Sequence, residues 1–390
     1  MTDTGLGDVS VAGLARRRFV AKEPATPAVV FDRVGVSYGR GARATPALID
    51  FSLRVARGET VALLGPSGAG KSTALRALAG VVRPSSGTLW AAGRDVTGLP
   101  AVKRGIGVVL QSGSLFPHMR VADNVAFGLR AQRVPRREIE GRVTDALETV
   151  GMTSYGRCFP RELSDVQQLR ASVARALAIR PTVLLLDEPL AALDVQLRQS
   201  VLVELQQLKK TLPDIAMLYV THDPAEALAL ADRIAVMADG RLVDVDKAEI
   251  LWKRPPTTYT ATFLGGANLL PCTVGRVIGT SALVTVANRT VSAEAPQPAV
   301  GRIDWAPGSA ALLCIRPHAL QVVSLGNRDA LRATVNAAIW RGATTRLVAS
   351  VNQLPDHSIE VDVPGHARFE VGSEVGVRIP EPAGVLVRAG

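Results

Sequence analysis

The chain has few cysteines, few aromatic residues and no long apolar run. Its 390 residues include three cysteines, and aromatic residues make up 4% of the composition. Cys158, Cys272 and Cys314 are scattered and odd in number, which argues against a disulfide scaffold or a zinc site and suits a reducing compartment. No apolar run approaches the length that crosses a bilayer, and no apolar stretch with a cleavage site follows the basic residues 16–18. We therefore expect neither a secreted scaffold nor a membrane-spanning chain.

Acidic residues are outnumbered by basic ones. The chain has 45 Lys and Arg against 35 Asp and Glu, which gives a formal net charge of +10. The arginines are spread through the sequence, without the basic block or the interleaved aromatic residues that would predict a nucleic-acid surface. We expect no nucleic-acid partner, and we interpret the charge as a solvated surface that lies near anionic lipid head groups.

The apolar pattern changes along the chain. Residues 1–27 lack a clear period and predict a flexible tail, whereas residues 28–265 contain continuous apolar runs that are typical of buried parallel strands. Residues 266–390 have short alternating runs between Pro- and Gly-rich turns, which predicts a small all-β domain. The strands expected there cover residues 272–278, 282–286, 311–315 and 345–351.

The most informative segment is a glycine-rich loop that follows an apolar strand. The strand Val61–Leu64 runs into Gly65-Pro66-Ser67-Gly68-Ala69-Gly70-Lys71-Ser72-Thr73 and then into a helical pattern. This is the P-loop pattern G-x-x-x-x-G-K-[ST] in the strand–loop–helix context that it requires, which disfavours an ordinary glycine-rich loop. The glycines let backbone N–H groups close around phosphate oxygens, and the helix start adds a favourable dipole. We expect Lys71 to reach the β- and γ-phosphates and the Ser72 hydroxyl to bind Mg²⁺.

A second apolar strand ends in an acidic pair. The run 183–186 precedes Asp187-Glu188-Pro189, which looks like a Walker B strand. Asp187 would hold Mg²⁺, directly or through water, and Glu188 would polarise the attacking water as a general base. An exposed acidic pair would explain this motif equally well if it stood alone, but the P-loop upstream favours the catalytic interpretation.

Together these motifs resemble the ATPase subunits of ABC transporters, of the importer type with a carboxyl-terminal β-domain. The resemblance covers nearly all of residues 28–390. It implies an α/β P-loop NTPase fold over residues 28–265, namely an ABC ATPase core with a helical subdomain over about 112–170. A small barrel-like all-β domain of the OB or TOBE type would follow over residues 266–390. The implied cofactors are ATP and Mg²⁺, and the implied activity is ATP hydrolysis.

Further residues match motifs of that family in order. Tyr38 occupies the place of the aromatic ring that stacks on adenine, and Gln111 matches the Q-loop, which touches Mg²⁺ and signals to the membrane subunits. Asp194 matches the D-loop, and His222 matches the switch histidine that approaches the γ-phosphate. Taken singly, Tyr38 would be interpreted as a core aromatic and His222 as a capped strand-end residue, but the ordered set overturns both interpretations. The implied cofactor-binding residues are Tyr38, Gly65, Pro66, Ser67, Gly68, Ala69, Gly70, Lys71, Ser72, Thr73, Ser164 and Asp194. The implied catalytic residues are Glu188, His222 and Gln111, and the implied metal ligands are Ser72, Gln111 and Asp187.

One segment departs from the family pattern. The family has Leu-Ser-Gly-Gly-Gln where this chain has Leu163-Ser164-Asp165-Val166-Gln167. In the family, this signature covers the γ-phosphate held by the P-loop of a second subunit. Val166 adds bulk, and Asp165 adds a charge that would repel another unit charge by roughly 4 kcal/mol at about 4 Å and an effective dielectric near 20. The change is either tolerated drift, with Asp165 turned outward, or a degenerate site with slow turnover; we favour the second, because the glycines contact ligand through backbone.

The resemblance implies a peripheral ATPase at the cytoplasmic face of the membrane that powers solute import. Its partners would be a second ATPase subunit, identical or a paralogue, two transmembrane permease subunits and, indirectly, a solute-binding protein. The stretches 124–132, 218–223 and 313–317 are similar to ATPases of 2-aminoethylphosphonate importers, and sulfate, ferric iron and polyamine importers share much of them.

Two rival functions are open. A soluble ABC ATPase of DNA repair or translation would need a second cassette or a long coiled-coil insertion, and the sequence shows neither. A regulatory or weakly active subunit is supported by the departure at Asp165 and Val166.

Overall fold

A computed structural model describes residues 26–39, 41, 44–110, 115–296 and 305–388. The expected tail lies outside the described residues except for Thr26 and Pro27, and Gln111 lies outside them too. The chain divides into two compact units, one that ends at Ala248 and one that begins at Glu249. The boundary expected after Gly265 falls within the second of these units.

The first unit alternates strands with helices. Its strands are β1 (Val29–Tyr38), β2 (Thr45–Val55), β3 (Thr60–Leu64), β4 (Ser86–Ala91), β5 (Arg94–Asp95), β6 (Ile106–Val109), β7 (Val183–Asp187), β8 (Ala216–Thr221), β9 (Arg233–Ala238) and β10 (Arg241–Lys247). Its helices are α1 (Lys71–Ala79), α2 (Val121–Ala131), α3 (Arg136–Thr149), α4 (Asp165–Ala178), α5 (Val195–Thr211) and α6 (Pro224–Leu230).

A six-stranded sheet in the order β10-β9-β3-β8-β7-β6 forms the centre of this unit. The strands β3, β7 and β8 are buried along their whole length and pair in parallel, which explains their continuous apolar sequences. The expected hairpin at Asp239-Gly240 joins β9 to the antiparallel edge strand β10. Both turn residues have positive φ, 48° and 74°, as a tight two-residue hairpin favours.

A second, antiparallel sheet has the order β2-β1-β4-β5. Its apolar face shares one core with the six-stranded sheet and with α1, in which Phe31 and Phe51 meet edge to face at 5.1 Å. The ends of the loop that joins β3 to α1, at Gly65 and at Ala69–Gly70, are buried, whereas residues 66–68 are exposed.

The helices α2, α3 and α4 form a separate apolar cluster. Val125, Leu129, Leu147 and Met152 are buried in it against the small residues of α4. The buried Asn124 side chain accepts a hydrogen bond from the Phe116 backbone N–H and donates to three backbone oxygens of residues 116–120. Helices are therefore present over much of the expected helical subdomain.

The second unit is built mainly of strands. A closed barrel is formed by β11-β12-β13-β20-β14, and a five-stranded sheet has the order β15-β19-β16-β17-β18. The expected barrel-like all-β fold is thus confirmed. The strands are β11 (Asn268–Ile278), β12 (Ser281–Val286), β13 (Arg289–Glu294), β14 (Ala310–Ile315), β15 (Gln321–Val323), β16 (Ala330–Trp340), β17 (Thr344–Val351), β18 (Leu354–Pro364), β19 (Glu374–Arg378) and β20 (Val385–Val387), preceded by the helices α7 (Ala248–Lys253) and α8 (Thr258–Gly265).

Arg316 holds the two short helices to the barrel strands. Its guanidinium lies 4.3 Å from the Trp252 ring centroid and donates to the backbone oxygens of Trp252 and Ala261 at 2.6 and 2.8 Å. These contacts explain why the helices before Gly265 belong to the second unit. Within the described ranges, no helix combines the length and the apolar character that a membrane crossing requires.

Candidate nucleotide-binding site

The carboxyl ends of three neighbouring parallel strands meet at one edge of the central sheet. Here β3 runs into the loop 65–70, β7 ends at Asp187, and β8 ends at Thr221 before His222. Ligands in open α/β sheets bind outside the carboxyl ends of the strands. This edge is therefore where Lys71, Asp187 and His222, expected at the site, follow or end their strands.

Two glycines of the loop lie so close to other backbone that no side chain fits. A Cβ on Gly65 would lie 2.3 Å from the Met237 oxygen, and a Cβ on Gly70 would lie 2.5 Å from the Ala47 oxygen. Gly70 also has a φ of 92°, which L-residues rarely adopt. These positions require glycine for steric reasons that apply without any ligand.

The loop is also tied to distant backbone. The Gly240 N–H donates to the Ala69 oxygen at 3.2 Å, and the Gly240 oxygen accepts from the Ile49 N–H at 2.8 Å. The turn between β9 and β10 thus joins the loop to β2. The conformation of residues 65–70 is fixed by tertiary contacts as well as by its own sequence.

Lys71 is the first residue of α1, and it is only 4% exposed. Its ammonium donates to the backbone oxygens of Gly65 and Pro66, each at 2.8 Å, so the side chain curls over the loop. Burial lowers the pKa of Lys71, while the carboxylates of Glu188 and Asp187 oppose that shift. Lys71 places a positive charge at the mouth of the loop.

Ser72 and Asp187 form a direct pair across 115 residues of sequence. The Ser72 hydroxyl donates to Asp187 Oδ1 at 2.7 Å, and Asp187 is 1% exposed. Burial raises the pKa of Asp187, against the hydrogen bond from Ser72. Two oxygen ligands side by side beside a phosphate-binding loop are the donor set that Mg²⁺ prefers, so these residues fit that ion.

Glu188 lies next to His222 at the same edge. His222 Nδ1 is 3.5 Å from Glu188 Oε2, and the Glu188 N–H donates to the Val220 oxygen at 3.1 Å. Glu188 has a φ of 44°, a left-handed conformation that costs a non-glycine residue about 1–2 kcal/mol. Such strain is found disproportionately at functional sites.

Tyr38 lies at the end of β1 and is 43% exposed, so it is not a core aromatic. Its hydroxyl is 3.5 Å from Thr73 Oγ1, which places the ring beside the start of α1. The ring therefore lies at the rim of the loop with a face open to solvent.

Ser164 and Asp194 have local hydrogen bonds instead. Ser164 is the N-cap of α4: its hydroxyl accepts from the Gln167 N–H at 3.3 Å, and its N–H donates to Gln167 Oε1 at 2.9 Å. Asp194 is the N-cap of α5 and accepts from the Leu197 N–H at 2.9 Å. Asp165 is exposed in the first turn of α4. The printed hydrogen bonds of Ser164 and Asp194 are thus the caps of their own helices.

Sequence reasoning missed four residues behind His222: Arg198, Tyr219, Thr221 and Glu226. The Glu226 carboxylate accepts from the hydroxyls of Tyr219 and Thr221 at 2.8 and 2.7 Å. Asp223 followed by Glu226 has the spacing of a capping box, which would have drawn attention to Glu226 but with a different partner.

Comparison with protein families gives two matches. The ABC transporter family matches residues 48–191, and the TOBE domain family matches residues 313–387. Two solved structures share the fold of the first unit. A dimeric ATP-binding cassette in a post-hydrolysis state with ADP and Pi is 28% identical with a TM-score of 0.50, covering 56% of this chain and 98% of that one. The cbiO1 protein of Clostridium perfringens, part of the ABC transporter complex cbiONQ, is 29% identical with a TM-score of 0.53, covering 58% and 91%.

Similar proteins with curated names match most of the chain. The 2-aminoethylphosphonate import ATP-binding protein PhnT of Salmonella typhimurium is 43% identical over 84% of this chain and 86% of its own length. The spermidine/putrescine import ATP-binding protein PotA of Thermobifida fusca is 40% identical over 82% and 83%. The Fe(3+) ions import ATP-binding protein FbpC of Rhizobium etli is 40% identical over 89% and 95%. The nucleotide-binding fold, the loop geometry and these likenesses together show that the chain belongs to the family of ABC transporter ATPases, with a TOBE domain near its carboxyl end.

Proposed function

We propose that the chain binds MgATP at the loop 65–73 and hydrolyses it to power a solute importer. The observation that carries the proposal is the Ser72–Asp187 hydrogen bond of 2.7 Å beside the buried Lys71 ammonium. A bound Mg²⁺ would be held by these two side chains and would neutralise phosphate charge as a Lewis acid. Gln111, outside the described residues, is proposed from its place in the sequence as a further ligand.

The loop acts on the phosphates through the charge of Lys71 and through its backbone N–H groups. The Lys71 ammonium now donates to two neutral carbonyl oxygens, and charged phosphate oxygens are stronger acceptors. Lys71 therefore turns from the loop towards the β- and γ-phosphates when nucleotide enters. The residues Gly65, Pro66, Ser67, Gly68, Ala69, Gly70 and Thr73 supply the surrounding backbone, and Tyr38 offers its exposed ring to the adenine.

Glu188 accepts the proton of the attacking water. His222 lies close enough to orient the Glu188 carboxylate and is 55% exposed, so part of its ring is free to face the γ-phosphate. General-base assistance of this kind contributes about 10²–10⁴-fold to a rate. Ser164 and Asp194 are proposed to meet the nucleotide held by a second ATPase subunit.

The import role comes from the relatives. Three similar proteins carry names of import ATP-binding proteins, for 2-aminoethylphosphonate, spermidine/putrescine and ferric ions. We propose that this chain lies at the cytoplasmic face of the membrane, pairs with a second ATPase subunit and drives two permease subunits fed by a solute-binding protein. The proposed solute is 2-aminoethylphosphonate or a similar small anionic or zwitterionic compound. Solute-stimulated ATP hydrolysis in the reconstituted importer tests this, and stimulation by polyamine or ferric iron alone would overturn the solute assignment.

A weakly active subunit is the second candidate. The observation in its favour is that Asp165 and Val166 replace both signature glycines in the first turn of α4. This candidate predicts ATP binding with little turnover in the assembled importer.

Two substitutions test the catalytic assignment. Lys71→Ala should lose ATP affinity because a charge on the phosphates is removed, whereas the exposed Lys103→Ala control should not. Glu188→Gln should still bind ATP but lose about 10²-fold or more in turnover, because an amide is not a base, while Glu148→Gln on the exposed face of α3 should be unchanged. Equilibrium titration measures the nucleotide affinity of the Lys71 variant, and steady-state phosphate release measures the turnover of the Glu188 variant. Full turnover of Glu188→Gln would show that the base is another residue.

A further inference from the structure

A buried carboxylate lies behind the segment that carries His222. Glu226, in the first turn of α6, is 5% exposed, and its Oε2 accepts from the Tyr219 and Thr221 hydroxyls of β8. Burial, and then the Glu226 charge, raise the pKa of the Tyr219 hydroxyl, which keeps it a donor. Burying a charged carboxylate costs much free energy unless hydrogen-bond donors surround it. This carboxylate has donors from the strand that ends beside the site.

The hydroxyl of Thr221 is used twice. It donates to Glu226 at 2.7 Å and accepts from the Asp223 N–H at 2.9 Å. His222 lies between these two residues, so the backbone is held immediately before and after it. The Asp223 carboxylate in turn caps α6 through the Ala225 N–H at 2.8 Å. The backbone on both sides of His222 is thus held by bonds that lead to Glu226.

A single arginine joins this carboxylate to another part of the site. The Arg198 guanidinium of α5 lies 3.8 Å from Glu226 Oε1 and 3.8 Å from Asp223 Oδ2. It also donates to the Leu193 oxygen at 3.3 Å, in the segment that precedes α5. Arg198 therefore bridges the loop around Leu193 and the turn at His222.

We propose that Thr221 is a positioning residue for His222, because its hydroxyl is anchored on Glu226 and holds the Asp223 N–H, and that Arg198 couples this position to the loop around Leu193. The inference rests on the proposed function, because it concerns how His222 is held beside Glu188. The histidine and carboxylate are 3.5 Å apart, and a displacement of about 1 Å at an active site can cost about 10²-fold in rate.

Three substitutions separate positioning from stability. Thr221→Val keeps the buried shape but removes the hydroxyl that holds Asp223, and it should lower kcat about 10- to 100-fold with an unchanged KM for ATP. Thr221→Ser restores the hydroxyl and should restore kcat. Tyr219→Phe is the matched control, because it removes the other hydroxyl from the same Glu226 oxygen without touching the His222 turn, and its kcat should stay within about threefold of the parent. Equal losses in Thr221→Val and Tyr219→Phe would overturn the proposal.

A second measurement does not depend on turnover. The chain has five histidines, so histidine-labelled full-length protein gives a short NMR spectrum in which His222→Ala assigns one signal. Thr221→Val should shift or broaden the His222 signal and leave His118 of the same unit unmoved, whereas Tyr219→Phe should move neither. An unmoved His222 signal in Thr221→Val would refute the positioning role even if the parent protein hydrolyses ATP normally. An inactive parent with a shifted His222 signal would instead reject the proposed function and retain the positioning role.

Discussion

The starts of α1 and α4 use their backbone donors in opposite ways. The first N–H groups of any α-helix have no partner within the helix. At α1 the N-cap is Gly70, which has no side chain to cap them. At α4 a complete capping box between Ser164 and Gln167 satisfies donors locally. The first N–H groups of α1 have no side-chain cap, which suits a helix start that binds an anion. Those of α4 are capped by its own side chains, which stabilises the helix.

The residues that replace the signature glycines fit this contrast. Asp165 stands in the first turn of α4, where a negative charge interacts favourably with the helix dipole by about 0.3–1 kcal/mol. Asp165 and Val166 therefore favour the helix more than glycine would at these positions. Stability of the subunit and the proposed contact with a partner's nucleotide would place different demands on the same two residues.

The largest expected effect comes from adding a side chain at Gly70, the N-cap of α1. Gly70→Ala forces a left-handed alanine whose Cβ would lie 2.5 Å from the Ala47 oxygen, which should lower the free energy of unfolding by about 2–5 kcal/mol. Gly68→Ala is the matched control, because Gly68 also has positive φ but no atom within 4 Å of its Cβ position, and it should lose only about 1–2 kcal/mol. Urea unfolding without nucleotide measures both. Equal losses would mean that the contact with Ala47 is unimportant.

The next effect comes from opening the closed helix start. Asp165→Gly combined with Val166→Gly should raise ATP turnover by about one to two powers of ten, equivalent to roughly 1.4–2.8 kcal/mol, because charge and bulk are removed. The same change should lower stability by about 1–2 kcal/mol, because glycine weakens a helix. Steady-state hydrolysis at saturating MgATP, with the same variant in both ATPase positions, gives the rate. Asp165→Asn separates charge from bulk, and unchanged turnover in both variants would favour tolerated drift.

The smallest effect concerns the capping box itself. Ser164→Ala removes the hydroxyl that accepts from Gln167 and should destabilise the protein by about 1 kcal/mol. Thermal unfolding checks this against Ser200→Ala, whose exposed hydroxyl donates to the Leu197 oxygen within α5. A loss in Ser164→Ala no greater than in the control would show that α4 does not depend on its cap.

The site was predictable from sequence where a motif is local and its strand is buried. Lys71 and Ser72 follow from the loop and helix pattern, and their approach to Asp187 follows because parallel strands end at the same edge. The contacts of Ala69 with Gly240 and of Arg198 with Glu226 were not predictable, because they depend on how distant elements pack. Asp223 and Glu226 even have the spacing of a capping box, yet burial turns Glu226 towards Tyr219.

In the β-domain, too, local elements were predictable from sequence and long-range contacts were not. The expected strands over 272–278, 282–286, 311–315 and 345–351 are confirmed within β11, β12, β14 and β17. The strand that closes the barrel, β20, was missed because it has three residues and bonds to partners far away in sequence. The alternation of apolar and polar residues predicts a strand. Closure of the barrel depends on which strands pair, and the alternation does not specify that.

The bonds from Gly240 to the phosphate loop bear on how the protein is made. Gly240 follows Gly65 by about 175 residues, and chains are synthesised at about 5–20 residues per second. A growing chain therefore carries its loop motif for roughly 10–35 s before the turn that supports it has been translated. During that interval the motif lacks its bond to the Gly240 turn, which itself bonds to β2, and the strands β7, β8 and β9 are added one after another. The tertiary support of this loop is thus completed late in synthesis, once nearly the whole of the first unit has been translated.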